Sequence, residues 1–266
     1  MKAIKKLIIF LVVIVAILGV AVIGGYIYVR TTYGIDLFRT AGQLKTLTQE
    51  VDETTLCPNA YGDKDFATMK TEVNKRLDGL ISYEEGKGYN GYSVNFAVLA
   101  GKSMDDMISL TEKQVGAIAQ TVFYEQTGGK IKLGEKEVSV TVVQVDFSEF
   151  ADNGSADFNV VAKLDLTPFK ADMGEFPYKY FKKYIPDNLY VSSTVRVDKA
   201  EAEGFDYTVT HKSLTLNNLS ADDTADLFDT LNAVLKIGTA ENLNLQIGKT
   251  AVNALIGTAE NPGFAY

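Results

Sequence analysis

The chain has 266 residues, with 26 basic and 34 acidic side chains, one histidine, one cysteine and no tryptophan. A single cysteine excludes an internal disulfide, and with one histidine it also excludes a zinc site built from nitrogen and sulfur ligands. Four of the 26 basic residues and none of the 34 acidic residues lie in the first 30 positions, so the remainder carries about −12 and is unsuited to nucleic-acid binding.

The chain begins with a short basic segment followed by a long apolar run. Residues 7–29 are 23 positions without a charge, and a helix of this length crosses a hydrocarbon core of roughly 30 Å. Lys2, Lys5 and Lys6 precede the run, so the positive-inside rule keeps the N-terminus in the cytoplasm. We therefore predict a cytoplasmic N-terminus at 1–6, a single transmembrane helix at 7–29 in the cell membrane, and export of the rest.

A cleaved secretory signal is the alternative interpretation of this N-terminus. The small-x-small triplet Gly19-Val20-Ala21 could be cut by a signal peptidase. The apolar run is longer than the usual signal core of roughly 7–15 residues, however, and it continues to Tyr26, Tyr28 and Arg30, which are typical interfacial anchors. We favour the uncleaved anchor.

The first exported segments predict a stalk and then an amphipathic helix. Residues 30–60 combine a polar helix at about 33–49 with a break before Pro58, and we assign them to a juxtamembrane stalk. The extracytoplasmic domain then occupies 61–266. Its first helix is predicted over 63–81, where apolar residues recur at steps of three and four: Phe66, Met69, Val73, Leu77 and Leu80.

The middle of the chain predicts a short extended segment, a capped helix and a hairpin. Residues 92–99 are extended after the glycine-rich turn at 85–88. Thr111 and Gln114 form a capping-box pattern, and the helix that they begin should end at Gly128-Gly129. Two strands follow as a hairpin, and the alternation of the first slips at Val143, where we predict either a β-bulge or burial on both sides of the strand.

The last third predicts a second hairpin between helices. Thr167-Pro168 begins a helical region that is broken near Gly174 and ends at Pro186. A hairpin is predicted over 189–216, followed by a helix capped by Ser220 and another over about 239–256. Strand pairs interspersed with helices predict an α+β fold in which antiparallel β-hairpins pack against amphipathic helices.

The sequence contains no recognisable catalytic or metal-binding motif, so we predict no catalytic residue, metal ion or cofactor. Cys57 lies near the stalk and far in sequence from His211, and we expect it to be dispensable. The acidic pairs Asp105-Asp106 and Asp222-Asp223, with Asp226 one turn on, could bind calcium or act as acid and base. For the second pair, stabilisation of a helix N-terminus is the ordinary explanation.

The most unusual local composition lies between Phe176 and Pro186, where lysines and aromatic residues interrupt an acidic domain. In a helix they would form an aromatic side and a basic side, as in an interfacial amphipathic element. The alternative is a helix that packs its aromatics on the sheet and leaves its lysines in water. The candidate residues for contact with a ligand or surface are Tyr178, Lys179, Tyr180, Phe181, Lys182, Lys183 and Tyr184.

Several features together resemble uncharacterised single-pass envelope proteins of Gram-positive bacteria. They are the basic start, the apolar run, Tyr33-Gly34-Ile35-Asp36, Leu56-Cys57-Pro58-Asn59 and the segment from Tyr190 to Val195. The order of a capped helix, a hairpin, a helical insert and a second hairpin is also similar to tubular lipid-binding domains, in which a curved sheet and long helices enclose an apolar groove. This second resemblance is topological, and a shared fold does not establish function.

Two hypotheses of function follow. The first is a membrane-tethered binding or interaction module of the cell envelope, whose partner is a lipid or other apolar ligand, a wall polymer or another envelope protein. The second is an envelope glycan hydrolase or transferase that uses carboxylates. A lipid binder should show a continuous dry groove, whereas a glycan enzyme should show two acidic residues about 5–10 Å apart in an open cleft.

Overall fold

The computed structural model describes residues 36–99, 110–133, 136–148, 154–171, 182–199, 207–235 and 238–255. Among these residues, no helix is both long enough and apolar enough to cross a membrane. The transmembrane helix predicted at 7–29 and the acidic pair Asp105-Asp106 lie outside the described residues.

A five-stranded antiparallel sheet with the order β3-β4-β5-β6-β7 organises the fold. Its strands are β3 (Lys130–Leu133), β4 (Lys136–Phe147), β5 (Ser155–Asp165), β6 (Asn188–Lys199) and β7 (Tyr207–Leu216). Both predicted hairpins are confirmed as β4-β5 and β6-β7, and the bulge predicted at Val143 is confirmed by a register shift between Val142 and Gln144. A second shift makes Lys212 an extra residue in β7, because Ser213 pairs with Thr194 and His211 pairs with Val195.

Seven helices and a small second sheet complete the described part of the chain. The helices are α1 (Leu37–Leu47), α2 (Glu53–Leu56), α3 (Asp63–Asn74), α4 (Glu112–Thr127), α5 (Thr167–Ala171), α6 (Ala221–Leu235) and α7 (Ala240–Leu255). The second sheet pairs β1 (Ile81–Tyr83) with β2 (Tyr92–Val94), and 3₁₀ turns lie at Phe96–Leu99 and Lys182–Tyr184. The chain is therefore an α+β protein with antiparallel sheets.

Helix ends follow the local signals closely where a side chain can cap the backbone. Thr111 and Gln114 form the predicted capping box of α4, and Gly128 ends that helix in the left-handed conformation. α3 is an exception, because it stops at Asn74 rather than near 81. The Asn74 amide accepts from Ile81 N at 3.0 Å and donates to Ile81 O at 2.7 Å, which turns the chain back into β1.

Helices cover one face of the main sheet. α4 packs on β4, while α6 and α7 pack on β6 and β7. α7 comes so close to β6 that a Cβ atom on Gly248 would lie 2.3 Å from Val195 Cγ1, so only glycine fits there. α4 is also buried on its far side, where Ala117, Ile118 and Val122 contact α3 and the small sheet. The order of layers is therefore small sheet with α3, then α4, then the main sheet.

Residues 36–60, which we assigned to a stalk, belong to the folded domain. Leu44 and Leu47 of α1 are fully buried in the same cluster as the inner residues of the main sheet. The polar side of α1 also finds partners, since Arg39 forms an ion pair with Asp226 and Gln43 Nε2 donates to Asp223 O at 3.1 Å. The polar residues of α1 pair with α6, which lies about 180 residues away in the sequence. Because these partners are so distant, the sequence of α1 by itself indicated a solvent-exposed stalk.

Candidate functional site

A segment that we name the strap, residues 48–62, crosses the outer face of the main sheet. Its α2 residue Glu53 accepts a hydrogen bond from Lys163 Nζ at 2.7 Å and another from the Tyr190 hydroxyl. Both bonds favour the ionised carboxylate and lower the pKa of Glu53. Farther along, Tyr61 donates its hydroxyl hydrogen to Val142 O at 2.6 Å, which fixes the end of the strap at the first bulge.

Cys57 lies beneath the strap and packs against Val161 and Tyr190. Its side chain is buried, with 4% of its surface exposed. Burial, together with the negative charges of Glu53 and Asp146, raises the pKa of the thiol to about 11. The thiol is therefore protonated at neutral pH and is a poor nucleophile. Our expectation that Cys57 is dispensable came from its lack of a disulfide partner and of a nearby base in the sequence, and it did not include the burial that the structure shows.

Cys57→Ser is now expected to lower the free energy of unfolding by about 1–2 kcal/mol, because a buried hydroxyl without a partner is costly. The measurement is urea unfolding of the full chain in detergent, monitored by circular dichroism. An unchanged midpoint would return Cys57 to an incidental role.

Two carboxylates approach each other where the strap meets β4. Glu112 Oε2 and Asp146 Oδ1 both accept from Asn59 Nδ2 at 3.0 Å, so these oxygens lie within about 6 Å of each other. The other two oxygens are also occupied, since Glu112 Oε1 accepts from Phe147 N at 3.3 Å and Asp146 Oδ2 accepts from Gln144 Nε2. All four oxygens accept hydrogen bonds, two of them from the strap residue Asn59 and two from β4, which leaves this pair poorly suited to acid–base catalysis.

The other acidic and basic candidates have structural partners. Asp223 caps α6 together with Ser220, whose hydroxyl donates to Asp223 Oδ2 at 2.8 Å, and Asp226 is paired with Arg39. His211 Nδ1 lies 2.6 Å from Asn244 Nδ2 on the helix-covered side of the sheet, and Cys57 lies under the strap on the opposite side. Within the described residues, no group of three or more histidine, cysteine or acidic side chains could hold a metal ion.

A surface cleft lies between α3 and the small sheet. We name it the Tyr83 cleft; it has a volume of about 370 Å³ and is lined by Ala67, Lys70, Thr71, Asn74, Tyr83 and Tyr92. Tyr83 and Tyr92 are opposite each other in the β1-β2 pair, with ring centroids 4.9 Å apart. Lys70 Nζ lies 6.0 Å from the centroid of Tyr83, at the outer limit of a cation–π contact.

One side of the Tyr83 ring packs against Tyr92 and the backbone at Gly91, although Tyr83 is 53% exposed. Tyr92 stacks on the buried Phe66, with ring centroids 5.4 Å apart, and so connects Tyr83 to the core. Gly91 has a φ of 88°, and a Cβ atom there would lie 2.6 Å from Tyr83 Cε2. The glycine therefore lets the ring lie flat on the backbone, and Tyr83 presents a fixed aromatic surface to the solvent.

A second cleft adjoins the first on the other side of Tyr83. This turn cleft has a volume of about 230 Å³ and is lined by Tyr83, Glu85, Gly86, Lys87, Gly88, Asn90 and Gly91. A Cβ atom on Gly88 would lie 2.0 Å from Tyr92 O, so the tight turn requires glycine at this position. Tyr83 thus separates two adjoining clefts, one bearing Lys70 and the other bearing Glu85 and Lys87.

The structure describes only the end of the contact segment that we predicted in the sequence. Tyr178, Lys179, Tyr180 and Phe181 lie outside the described residues. Lys182 and Lys183 are exposed on the 3₁₀ turn that lies against α1, and Tyr184 is half-buried against the core. The structure therefore brings the described part of this segment next to α1 rather than to the Tyr83 cleft.

The Tyr83 cleft is not among the sites predicted from the sequence, although two signals for it are present. The turn at 85–88 is rich in glycine, and Tyr83 and Tyr92 flank it at a spacing that an antiparallel hairpin brings together. Comparison of the chain with protein-family models, with curated proteins and with solved structures gives no match, so the function has to be argued from this geometry.

Proposed function

We propose that the protein is a membrane-tethered binding module of the cell envelope, and that its ligand docks on Tyr83. The exposed and rigidly supported ring between two clefts is the observation that carries the proposal. The anchor is the apolar run at 7–29, and the preceding lysines place the folded domain on the outer side of the membrane.

The chemistry of the clefts favours a wall glycan among the envelope ligands. A sugar ring has an apolar face of C–H groups that can lie on an aromatic ring, while its hydroxyls need polar partners. Tyr83 supplies the flat apolar surface, and Lys70, Thr71 and Asn90 supply polar groups on either side. Adjoining clefts on both sides of the ring suit a polymer, because successive sugar units can occupy both.

Two other functions are less well supported. A lipid carrier needs a dry groove between sheet and helices, but large apolar side chains there are packed against one another. Phe158, Leu164 and Leu227 are each exposed to 3% or less. A glycan hydrolase needs two facing carboxylates in a cleft. Among the described residues, no acidic side chain lines the Tyr83 cleft and Glu85 is the one acidic side chain that lines the turn cleft. The oxygens of Glu112 and Asp146 are occupied by Asn59 of the strap and by β4.

Tyr83→Ala is expected to weaken binding of soluble wall-glycan fragments by about three- to tenfold, since an aromatic stacking contact contributes about 0.5–1.5 kcal/mol. Tyr83→Phe should bind like the parent if the ring face, and not the hydroxyl, makes the contact. The measurement is isothermal titration calorimetry on the full chain in detergent.

Phe96→Ala is the matched control, because Phe96 is 43% exposed but lines neither cleft. Its affinity should equal that of the parent. Equal affinities for the parent, Tyr83→Ala and Phe96→Ala would remove Tyr83 from the binding site. An absence of binding by the parent would reject wall glycan as the ligand.

A further inference from the structure

The first turn of α1 exposes a large apolar side chain. Phe38 has 75% of its surface exposed, more than Tyr83 or Phe96. Its neighbours on α1 are engaged elsewhere: Asp36 Oδ1 accepts from Phe38 N at 3.0 Å and from Arg39 N at 3.2 Å, and the Arg39 side chain pairs with Asp226. Phe38 therefore lies at a helix start where the side chains of Asp36 and Arg39 both have partners.

Two exposed lysines lie on the element that packs against α1. Lys182 and Lys183 are carried by the 3₁₀ turn at 182–184, and Tyr184 of the same turn packs against the cluster that contains Leu44 and Leu47. An apolar side chain and basic groups on adjoining elements are the pattern of a surface that rests at a lipid interface. The domain as a whole is strongly negative, so these basic groups form a small basic region on an acidic surface.

The length of the chain restricts where α1 can be. The predicted transmembrane run ends at Val29 and α1 is capped by Asp36, so six residues, 30–35, lie between them. Fully extended, the seven Cα–Cα steps from Val29 to Asp36 span at most about 25 Å. The start of α1 is thus held near the bilayer surface whatever path the connection takes.

We propose that Phe38, Lys182 and Lys183, which are carried by two elements in contact, form a face that rests on the protein's own membrane, with Phe38 in the interfacial layer and the lysines at the lipid headgroups. This proposal depends on the anchor in the proposed function, but not on the ligand of the Tyr83 cleft. Its consequence is that the domain is held in one orientation on the membrane instead of turning freely on its tether.

The absence of tryptophan from the chain allows a direct test. Phe38→Trp and the control Phe96→Trp each introduce a single tryptophan at an exposed aromatic position, and unchanged unfolding midpoints will show that both variants fold. Each full chain is reconstituted into vesicles of phosphatidylcholine and phosphatidylglycerol, with and without brominated acyl chains. Flotation shows whether the chain is anchored in the vesicles. Quenching of tryptophan fluorescence by brominated lipid shows contact with the bilayer, and quenching by aqueous iodide shows exposure to water.

We expect brominated lipid to remove about half of the emission of the tryptophan at position 38, because interfacial side chains lie roughly 5–10 Å into the boundary of headgroups and acyl chains. The tryptophan at position 96 should respond to iodide and hardly to brominated lipid. If the chains float but both tryptophans respond alike, the membrane-contact face is wrong while the anchor stands. Shielding of position 38 from iodide without quenching by brominated lipid would indicate a protein partner and also overturn the proposal. A chain that does not float would overturn both the anchor and this face.

Discussion

Asn244→Leu is expected to lower the free energy of unfolding by about 2–4 kcal/mol, since a buried polar group left without a partner costs about 1–3 kcal/mol. The fully buried Asn244 amide lies on α7 at the second bulge. Its Nδ2 donates to Thr194 O at 2.8 Å, and its Oδ1 accepts from Ser193 Oγ at 2.6 Å. Leucine keeps the size of the side chain but removes both bonds.

The same amide determines the hydrogen-bonding role of His211. Because Nδ2 must donate to the carbonyl of Thr194, the Nδ1 atom of His211, which lies 2.6 Å from Nδ2, acts as an acceptor. Asn244→Leu would thus also leave this ring nitrogen without its partner. Asn244→Asp should be less well tolerated than its small change in size suggests, because a carboxylate cannot donate to the Thr194 carbonyl.

The matched control is Asn242→Leu, which makes the same chemical change on the exposed side of α7. It should leave the urea midpoint of the full chain in detergent almost unchanged. If Asn242→Leu and Asn244→Leu shift the midpoint equally, the effect belongs to the helix and not to the bulge.

Gln120→Leu is expected to lower the free energy of unfolding by about 1–3 kcal/mol, because a buried N–H group at the first bulge would lose its hydrogen-bond acceptor. The extra residue Val143 shifts the pairing there, and Val142 N donates to Gln120 Oε1 on α4 at 2.7 Å. Gln120 is buried, with 1% of its surface exposed, so water is not available to replace the lost acceptor. Leucine is close in size, and the expected loss comes from the unpaired Val142 N–H group.

Gln126→Leu is the control for this variant, because Gln126 lies on the same helix and is exposed. Tyr61→Phe provides a second check, since the Tyr61 hydroxyl donates to the carbonyl of the same Val142. Burial raises the pKa of Tyr61, so its hydroxyl stays protonated and able to donate at any pH at which the fold is measured. Stability of Gln120→Leu equal to that of Gln126→Leu would show that the first bulge does not need its amide.

The two bulges show which features could be predicted from the sequence and which could not. The slip of alternation at Val143 is a local pattern, and it predicted the first bulge correctly. The partners that satisfy the bulges are not local: Gln120 is 22 residues from Val142, and Asn244 is 50 residues from Thr194. Nothing in the sequence around Gln120 or Asn244 distinguishes these amides from exposed ones such as Gln126 and Asn242.

The difference between local and distant contacts also explains why the stalk assignment of residues 30–60 was wrong for the described residues 36–60. Pro58 and the polar composition of residues 30–60 favoured a stalk, because a segment's own residues do not reveal a partner elsewhere in the chain. α1 is buried only because α6 and the main sheet supply contacts for both its apolar and its polar side. The burial of Cys57 follows from similar long-range packing, since the strap that covers it is held to the sheet by the bonds of Glu53 to Lys163 and Tyr190.

By itself, the sequence determined those features in which neighbouring residues act on one another. These are the capping box at Thr111, the left-handed end of α4 at Gly128, the two antiparallel hairpins and the α+β class. Backbone hydrogen bonds and side-chain alternation within a few residues suffice for them. Only the tertiary structure decided that the strap crosses the sheet, that helix amides satisfy both bulges, and that Tyr83 stands between two clefts. Those features depend on contacts between segments far apart in the chain, whose pairing is selected by burial of the whole core and not by any local pattern.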